Sequence, residues 1–287
     1  MKLLAALLLV LSGSVFANEE GETFFMPEND FYIPVQTKLE SGLTEAQFNK
    51  VIDRIEKIYS PIVNQMQGNL VIERKWEDGT VNASAIRMGK NWNVKMFGGL
   101  ARHRTITEDG FSIVLCHEIG HHIGGAPKIT STFSMENWAS NEGEADYWST
   151  LKCLRNVLGN DDNVAIVKKM SVPSPLNSTC KKIYRDSKEA ALCIRSGMAA
   201  VSVTNLFAEL SGGAEAKFET PDSRAVTRTD DSHPAYQCRL DTFFQGAICD
   251  KDPREDVSQT DEFKATCHGF NGDAVGLRPR CWFKPSK

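Results

Sequence analysis

Three residues in the middle of the chain have the spacing of a metal site. His117, Glu118 and His121 form the pattern His-Glu-x-x-His at the end of an apolar run. On a helix, residues four apart share a face, with Cβ atoms roughly 5–6 Å apart. His117 and His121 can therefore hold one metal ion between their imidazoles, and Glu118 can reach a water molecule beside it. Two histidines with a general base are typical of zinc metalloproteases.

A third ligand is predicted downstream, because catalytic zinc sites use three protein ligands and keep one position open for water. The segment Glu142-Gly143-Glu144-Ala145-Asp146 places two acids on one helical face. We expect Glu142 to bind the ion, and Asp146 to accept a hydrogen bond from the outer N–H of a ligand histidine. Glu144 is expected to point into solvent. The alternative interpretation is an exposed helix start, where acidic residues favour the dipole.

The residues that follow the motif argue against a site made of three histidines. Such sites take a third histidine six residues after the second, and here that position is Pro127. His122 follows His121 directly and faces another way, so we expect it to pack against its neighbours. The third ligand is therefore expected from the acidic segment.

This donor set predicts hydrolysis of an amide. Zinc lowers the pKa of a bound water from 15.7 to about 7. Glu118 would take the proton as the hydroxide attacks a peptide carbonyl, and would pass it to the leaving amine. The developing oxyanion needs a second donor, for which His233 is the best candidate, with Tyr236 and Arg239 nearby. The alternative for His233-Pro234 is an ordinary loop.

Helical periodicity and capping signals predict the elements that carry these residues. The motif helix is capped at Thr107 and ends at Gly124, and the acidic helix runs from about Ala139 to Leu158. Two further helices are expected, one opened by a capping box at Thr44 and stopped near Pro61, the other from Ser187 to Leu210. We expect 171–179 to be a loop.

Between residues 69 and 96 the hydrophobic period changes to that of strands. Leu70-Val71-Ile72, residues 81–86 and residues 92–97 are separated by turn sequences containing Gly79 and Gly89. This pattern predicts a small antiparallel sheet. The fold class expected overall is α+β, mostly helical with that one sheet.

The 287 residues divide into four predicted parts. Residues 1–17 read as a secretory signal peptide, with Lys2, an apolar run too short to span a bilayer, and a small-residue cleavage site. Residues 18–43 form an irregular lead, residues 44–245 the catalytic domain and residues 246–287 a tail. We expect a secreted or periplasmic protein with no membrane anchor after cleavage. The net charge is −4 and the sequence has no basic patch, so nothing in its charge suggests a nucleic-acid partner.

All eight cysteines follow the predicted signal peptide, and an even count in an oxidising compartment indicates disulfides. Proximity in sequence favours Cys180–Cys193, Cys238–Cys249 and Cys267–Cys281. The remaining Cys116 and Cys153 lie one on each predicted metal-site helix, where a bridge would clamp them together. The alternative, Cys116 as a metal ligand or nucleophile, is disfavoured because it points about 100° away from the ligand face.

Four segments occur in an order that matches a known family: Asn82-Ala83-Ser84-Ala85, residues 114–121, residues 142–146, and Ser232-His233-Pro234 with Arg239. Through these motifs the chain resembles the HtpX-like and CAAX prenyl protease type 1 family of zinc metallopeptidases. The resemblance implies a zincin-like (gluzincin) fold, a Zn²⁺ cofactor and a peptide or unfolded protein as substrate. It also implies that Asn82 to Ala85 form an edge strand pairing with substrate, and that Arg239 contacts substrate. The cysteine-bearing tail has no counterpart in it.

The sequence therefore predicts a zinc-dependent endopeptidase. One alternative is a non-catalytic binding or chaperone-like module of the envelope on the same scaffold, in which the metal is structural or absent. Intact Glu118 argues against that alternative, since a structural site needs no base. A zinc hydrolase acting on non-protein amides is the third interpretation.

Overall fold

The computed structural model describes residues 21–35, 42–130 and 137–286, which form an α+β fold with a small mixed sheet. The predicted signal peptide, residues 1–17, lies outside the described residues. The helices are α1 (Glu45–Gln65), α2 (Gly98–Arg102), α3 (Glu108–Ile123), α4 (Glu142–Trp148), α5 (Leu154–Leu158), α6 (Asn163–Val167), α7 (Ser174–Ile183), α8 (Ser187–Ser211) and α9 (Tyr236–Ile248). The strands are β1 (Thr23–Phe24), β2 (Asn69–Lys75), β3 (Ala83–Met88) and β4 (Asn91–Phe97).

The sheet has the order β1-β3-β4-β2. β3 is antiparallel to both β1 and β4, but β2 runs parallel to β4, from Asn69 opposite Asn91 to Lys75 opposite Phe97. The prediction of a purely antiparallel sheet was therefore wrong. β4 is the more deeply buried strand and takes the position between β3 and the partly exposed β2. The period-2 pattern located the strands but carried no information about their order.

The N-terminal lead was predicted to be irregular, and this is wrong for the part beside the sheet. β1 pairs with β3, with Thr23 opposite Ala85 and Phe24 opposite Ser84. The two residues after β1, Phe25 and Met26, are 0% and 1% exposed. The lead is thus anchored in the core, because apolar side chains within a polar stretch find burial there.

Helix α1 begins as predicted, with the capping box between Thr44 and Gln47. It does not stop near Pro61, which lies inside the helix. Proline removes the hydrogen bond to the carbonyl of residue i−4. That residue, Lys57, and Pro61 are both on the exposed face, where water can satisfy the carbonyl, while Val63 continues the buried face.

Helix α3 lies in the centre of the fold, and every residue from Gly110 to Ile123 is buried. It contacts the sheet through β3 and β4, and it also contacts α1, α4 and α8. Helix α8, predicted over 187–210, is long and apolar enough to cross a membrane, yet 83% of its most apolar window is buried inside the protein. It is therefore a core helix that supports α3.

Three predictions about the C-terminal half were wrong, namely one loop and two disulfide pairings. The expected loop 171–179 is helical from residue 174 onward and belongs to α7, whose N-terminal proline occupies a favourable first-turn position. The predicted local pairings Cys238–Cys249 and Cys267–Cys281 do not form. Cys238 lies in the first turn of α9 and Cys249 directly after its last residue. Because a helix rises about 1.5 Å per residue, the two are far beyond disulfide reach. The observed bridges are Cys116–Cys153, Cys180–Cys193, Cys238–Cys281 and Cys249–Cys267.

The tail after α9 packs on the acidic helix α4. Trp282 and Phe283 are each 1% exposed, and Trp282 lies so close to Gly143 that a Cβ there would clash with its ring. Tyr147 donates a hydrogen bond of 2.5 Å to the carbonyl of Gly276. The two disulfides from the ends of α9 hold the tail against this helix.

Candidate metal centre

Helix α3 presents the two histidines of the motif side by side. It starts at Thr107, whose Oγ1 accepts a hydrogen bond from Gly110 N at 3.0 Å, and it ends at Gly124, both as predicted. The rings of His117 and His121 have centroids 4.6 Å apart and are perpendicular. Their Nε2 atoms are both buried and face the same point in the interior.

Helix α4 brings Glu142 to the histidines. Its N-cap is Asn141, whose side chain accepts a hydrogen bond from Glu144 N at 2.9 Å. Oε2 of Glu142 lies 3.3 Å from Nε2 of His117, and Oε1 lies 3.6 Å from Nε2 of His121. The structure therefore places the predicted third ligand beside the first two.

A disulfide holds the two metal-site helices at this separation. Cys116, on α3, is bonded to Cys153 at the end of the π-helical turn that continues α4, with a Cα–Cα distance of 5.6 Å. The predicted bridge between Cys116 and Cys153 is confirmed, and it joins the two segments. Cys116 is therefore neither a free nucleophile nor a thiolate ligand.

The arrangement of hydrogen bonds fits a metal ion. Nδ1 of His117 lies 2.7 Å from Oδ1 of Asp146, and Nδ1 of His121 lies 2.8 Å from the carbonyl oxygen of Ser140. Both Nδ1–H groups are thus used as donors, which leaves the Nε2 atoms directed at Glu142. Neither Nε2 atom nor Oε2 of Glu142 has a hydrogen-bond partner among the described residues. Buried polar atoms without partners are costly, and two imidazoles with a carboxylate are a zinc donor set.

The charge states of two ligands also suit metal binding. Burial lowers the pKa of His121 to about 4, so its imidazole is neutral at physiological pH. Burial alone would raise the pKa of Glu142, but His121 and His233 lower it to about 2, so the carboxylate is ionised. Burial likewise lowers the pKa of His117, but Asp146 outweighs this effect and the pKa rises to about 9. Metal binding at His117 would therefore release a proton.

Glu118 lies next to these ligands and is completely buried. Neither of its carboxyl oxygens has a hydrogen-bond partner among the described residues. Burial raises its pKa to about 8, which places the group in the range where a carboxyl can accept and return a proton. A side chain with no structural partner in such a position is expected to serve chemistry.

Asp146 connects the histidine to a buried arginine. Arg239 donates from Nε to Oδ2 at 2.8 Å and from Nη2 to Oδ1 at 2.7 Å. Asp146 thus accepts the hydrogen bond from His117 that its place in the acidic segment predicted. Arg239, predicted to contact substrate, is 1% exposed and lies behind the centre, with Nη1 donating to the carbonyl of Phe25 at 2.6 Å.

His233 reaches the centre from the segment before α9. Its Nε2 is 3.5 Å from Oε2 of Glu142, and its side chain is 26% exposed. His233 therefore lies beside the candidate ligands, on a segment without regular secondary structure. Tyr236, by contrast, directs its hydroxyl group towards Gly213, at the end of α8.

Asn82 to Ala85, predicted to be the strand edge that pairs with substrate, is covered by the chain itself. On the side of β3 away from β4, Ala85 and Ser84 pair with β1, and Asn82 exchanges side-chain hydrogen bonds with the backbone of Met26. Sequence reasoning missed this occupant. The available signal was the apolar run Phe24-Phe25-Met26 within a polar lead.

Two neighbours of the ligands can be assigned structural roles. Glu144 was predicted to be solvated, which is wrong: it is 0% exposed and forms an ion pair with Arg278 of the tail. The sequence did not show that a tail residue would reach α4. His122 is stacked between Trp92 and Trp138, with its Nε2 3.2 Å from the carbonyl of Asn93, so it packs as predicted and does not face the metal centre.

Comparison of the chain with protein-family models, with curated proteins and with solved structures gave no match. The motif resemblance described above therefore stays a prediction, and the geometry of the candidate centre is the basis for the functional argument.

Proposed function

We propose that this protein is a zinc-dependent endopeptidase with a zincin-like fold. The observation that carries the proposal is a buried set of ligand atoms with no other use. Nε2 of His117, Nε2 of His121 and a carboxylate oxygen of Glu142 lie within 4.8 Å of one another. Their orientation by Asp146 and Ser140 is what a metal site requires of its surroundings.

The bound ion would supply a Lewis acid and an acidified water, the chemistry by which zinc sites hydrolyse peptides. Glu118 is the group placed to accept a proton beside the ligands and to return it to the leaving amine. Its burial raises its pKa to about 8, and its oxygens are not held by other groups of the described chain. This role is general acid–base catalysis.

His233 is the donor that we assign to the developing oxyanion. It lies 3.5 Å from Glu142 on the partly exposed side of the centre, where a substrate would enter. Positioned donors of this kind commonly contribute about 10²–10³ in rate. Arg239, through its ion pair with Asp146, holds His117 in place.

The four disulfides fit an oxidising, extracellular environment. With the predicted signal peptide at residues 1–17, this supports work in the periplasm or outside the cell. An exported endopeptidase would act on peptides or unfolded proteins.

A direct test uses the protein from residue 18 onward, produced in an oxidising compartment. Bound zinc is measured by mass spectrometry, and cleavage of unfolded casein is followed overnight for wild type, Glu118→Gln and Glu108→Gln. The last variant makes the same change at the partly exposed start of α3. We expect one zinc per chain in all three, with a loss of at least about 10² in activity only for Glu118→Gln. Absence of zinc in wild type would end the proposal, and a Glu118→Gln variant as active as wild type would also contradict it.

A further inference from the structure

The segment from Thr23 to Met26 is bound through its backbone by the groups that were predicted to bind substrate. On the β3 side, Thr23 is opposite Ala85, and Phe25 N donates to the carbonyl of Ala83 at 3.0 Å. Asn82 extends this pairing beyond the strand. Its Oδ1 accepts from Met26 N at 3.1 Å, and its Nδ2 donates to Met26 O at 3.2 Å.

The opposite side of the same backbone faces the candidate centre. Alternate residues of an antiparallel strand direct their N–H and C=O groups to opposite sides. The carbonyl of Phe24 therefore points away from β3, where His233 Nε2 lies 2.6 Å from its oxygen. The same Nε2 is 3.5 Å from Glu142, so one imidazole contacts both the segment and a metal ligand.

Phe25 fills an apolar position next to the first ligand. Its ring meets the ring of His117 edge-on at a centroid distance of 5.0 Å, and it lies 5.4 Å from Phe207. The guanidinium of Arg239 is 4.5 Å above its ring, and Arg239 also donates to its carbonyl oxygen. Both the backbone carbonyl and the ring of Phe25 are thus in contact with residues of the candidate site.

Resting on the proposed function, we propose that residues 22–26 occupy the substrate groove in the manner of a substrate and limit activity to the fraction of molecules in which the segment has left it. The peptide bond between Phe24 and Phe25 lies where the scissile bond of a substrate would lie. The groove therefore takes an extended polypeptide, with a large apolar side chain on the carboxyl side of the cleaved bond, in the place of Phe25. Activity requires this segment to leave.

The burial of the centre supports the same conclusion. His117, Glu118 and His121 are 0% exposed, and Glu142 is 4% exposed. No polypeptide can reach groups that are covered in this way while the segment is in place. When a segment of the same chain competes for the groove, the apparent affinity for substrate equals the intrinsic affinity multiplied by the fraction of molecules with an open groove.

Substitutions at Glu22 and Thr23 can loosen the segment without removing an apolar side chain from the core. Glu22 Oε1 accepts hydrogen bonds from Ser84 Oγ at 2.6 Å and from Lys95 Nζ at 2.9 Å. A proline at position 23 removes a backbone donor from the paired strand. The double variant Glu22→Ala/Thr23→Pro keeps the anchor Phe25. Glu28→Ala, at an exposed position two residues after the segment, is the matched control.

The first measurement does not depend on catalysis. All variants carry Glu118→Gln, and binding of a fluorescent unfolded casein peptide to the zinc-loaded protein is followed by anisotropy. If the groove is open in under about 10% of molecules, loosening tightens the apparent affinity about tenfold, whereas Glu28→Ala leaves it unchanged. Equal affinity in the loosened and control proteins would overturn the inference. Glu22→Ala alone serves if the double variant is unfolded by circular dichroism.

The second measurement adds the segment back as a synthetic peptide of residues 21–27. It should displace the casein peptide from the loosened protein. The same peptide with Phe25→Asp should require a concentration at least about tenfold higher for the same displacement. Equal potency of the two peptides would refute the specificity assigned to the Phe25 position. Tighter casein binding on loosening, with no cleavage by any Glu118-containing form, would leave the groove inference standing and reject the peptidase.

Discussion

Asp146 and Arg239 form a buried bidentate ion pair, with Nε–Oδ2 and Nη2–Oδ1 distances of 2.8 and 2.7 Å. Oδ1 of the same carboxylate lies 2.7 Å from Nδ1 of His117. One carboxylate therefore neutralises an arginine and orients a candidate metal ligand. Loss of its charge should affect stability and metal binding together.

We expect Asp146→Asn to weaken zinc binding by about 10–100-fold, since the hydrogen bond that orients the ligand loses its charge. Removing one partner of a buried ion pair should also lower the free energy of unfolding by about 3–5 kcal/mol. Zinc titration against a chelator and urea unfolding measure the two effects. Asp53→Asn, at a surface ion pair with Arg74, is the control and should change neither. Unaltered zinc affinity in Asp146→Asn would show that His117 is not held this way.

The ion pair between Glu144 and Arg278 should couple the tail to the metal-site helix. Both residues are buried, at 0% and 4% exposure. Arg278→Ala should lower the free energy of unfolding by about 3–5 kcal/mol, because it leaves a buried carboxylate without its partner. The double variant Glu144→Leu/Arg278→Met should recover most of that loss, and Arg104→Ala at a surface pair should cost under about 1 kcal/mol. A double variant as unstable as Arg278→Ala in urea unfolding would contradict the pairing argument.

The disulfides differ in what their removal should do to the metal centre. The bridges Cys116–Cys153 and Cys180–Cys193 span 37 and 13 residues, so chain entropy predicts losses of about 4 and about 3 kcal/mol on replacement by alanine pairs. Both variants should therefore be destabilised to a similar extent. Only Cys116→Ala/Cys153→Ala should also weaken zinc binding, since that bridge alone joins α3 to the turn after α4. Equal zinc affinities in the two variants would argue against a clamp.

Lys128 should make stability depend on pH in the alkaline range. Burial, with a smaller effect of Arg87, lowers its pKa from 10.5 to about 7. Between these values the unfolded chain binds more protons than the folded one, so the contribution of Lys128 to stability rises with pH and is lost as pH falls through about 7. The expected rise is about 2 kcal/mol between about pH 7 and about pH 9.

The measurement is urea unfolding of wild type, Lys128→Met and the exposed control Lys50→Met at several pH values. Wild type should gain stability relative to Lys128→Met as pH increases, and Lys50→Met should follow wild type. Parallel curves for wild type and Lys128→Met would show that the pKa of Lys128 is not lowered in the folded protein.

Local patterns were sufficient to predict the elements that carry the ligands. The caps at Thr107 and Asn141 and the four-residue spacing of His117 and His121 are encoded within one or two helical turns. The meeting of Glu142 with the histidines also followed, because Glu142 and Asp146 are four residues apart and share one helical face. These features depend on short-range geometry, which sequence periodicity reports well.

Features that depend on long-range packing were not predicted. The β1 pairing joins residues 62 positions apart at Thr23 and Ala85, and Arg278 reaches Glu144 across 134 positions. No local period records such contacts. The disulfide partners of Cys238 and Cys249 were missed for a related reason, since α9 was not recognised and proximity along the chain was taken as proximity in space.

The claim on which the account depends is that His117, His121 and Glu142 together hold one zinc ion. The most direct measurement is anomalous diffraction at the zinc edge from crystals of the zinc-loaded protein. We predict one strong peak, about 2.0–2.2 Å from Nε2 of His117, Nε2 of His121 and a carboxylate oxygen of Glu142. A zinc peak elsewhere in the molecule, with these three side chains uncoordinated, would contradict it.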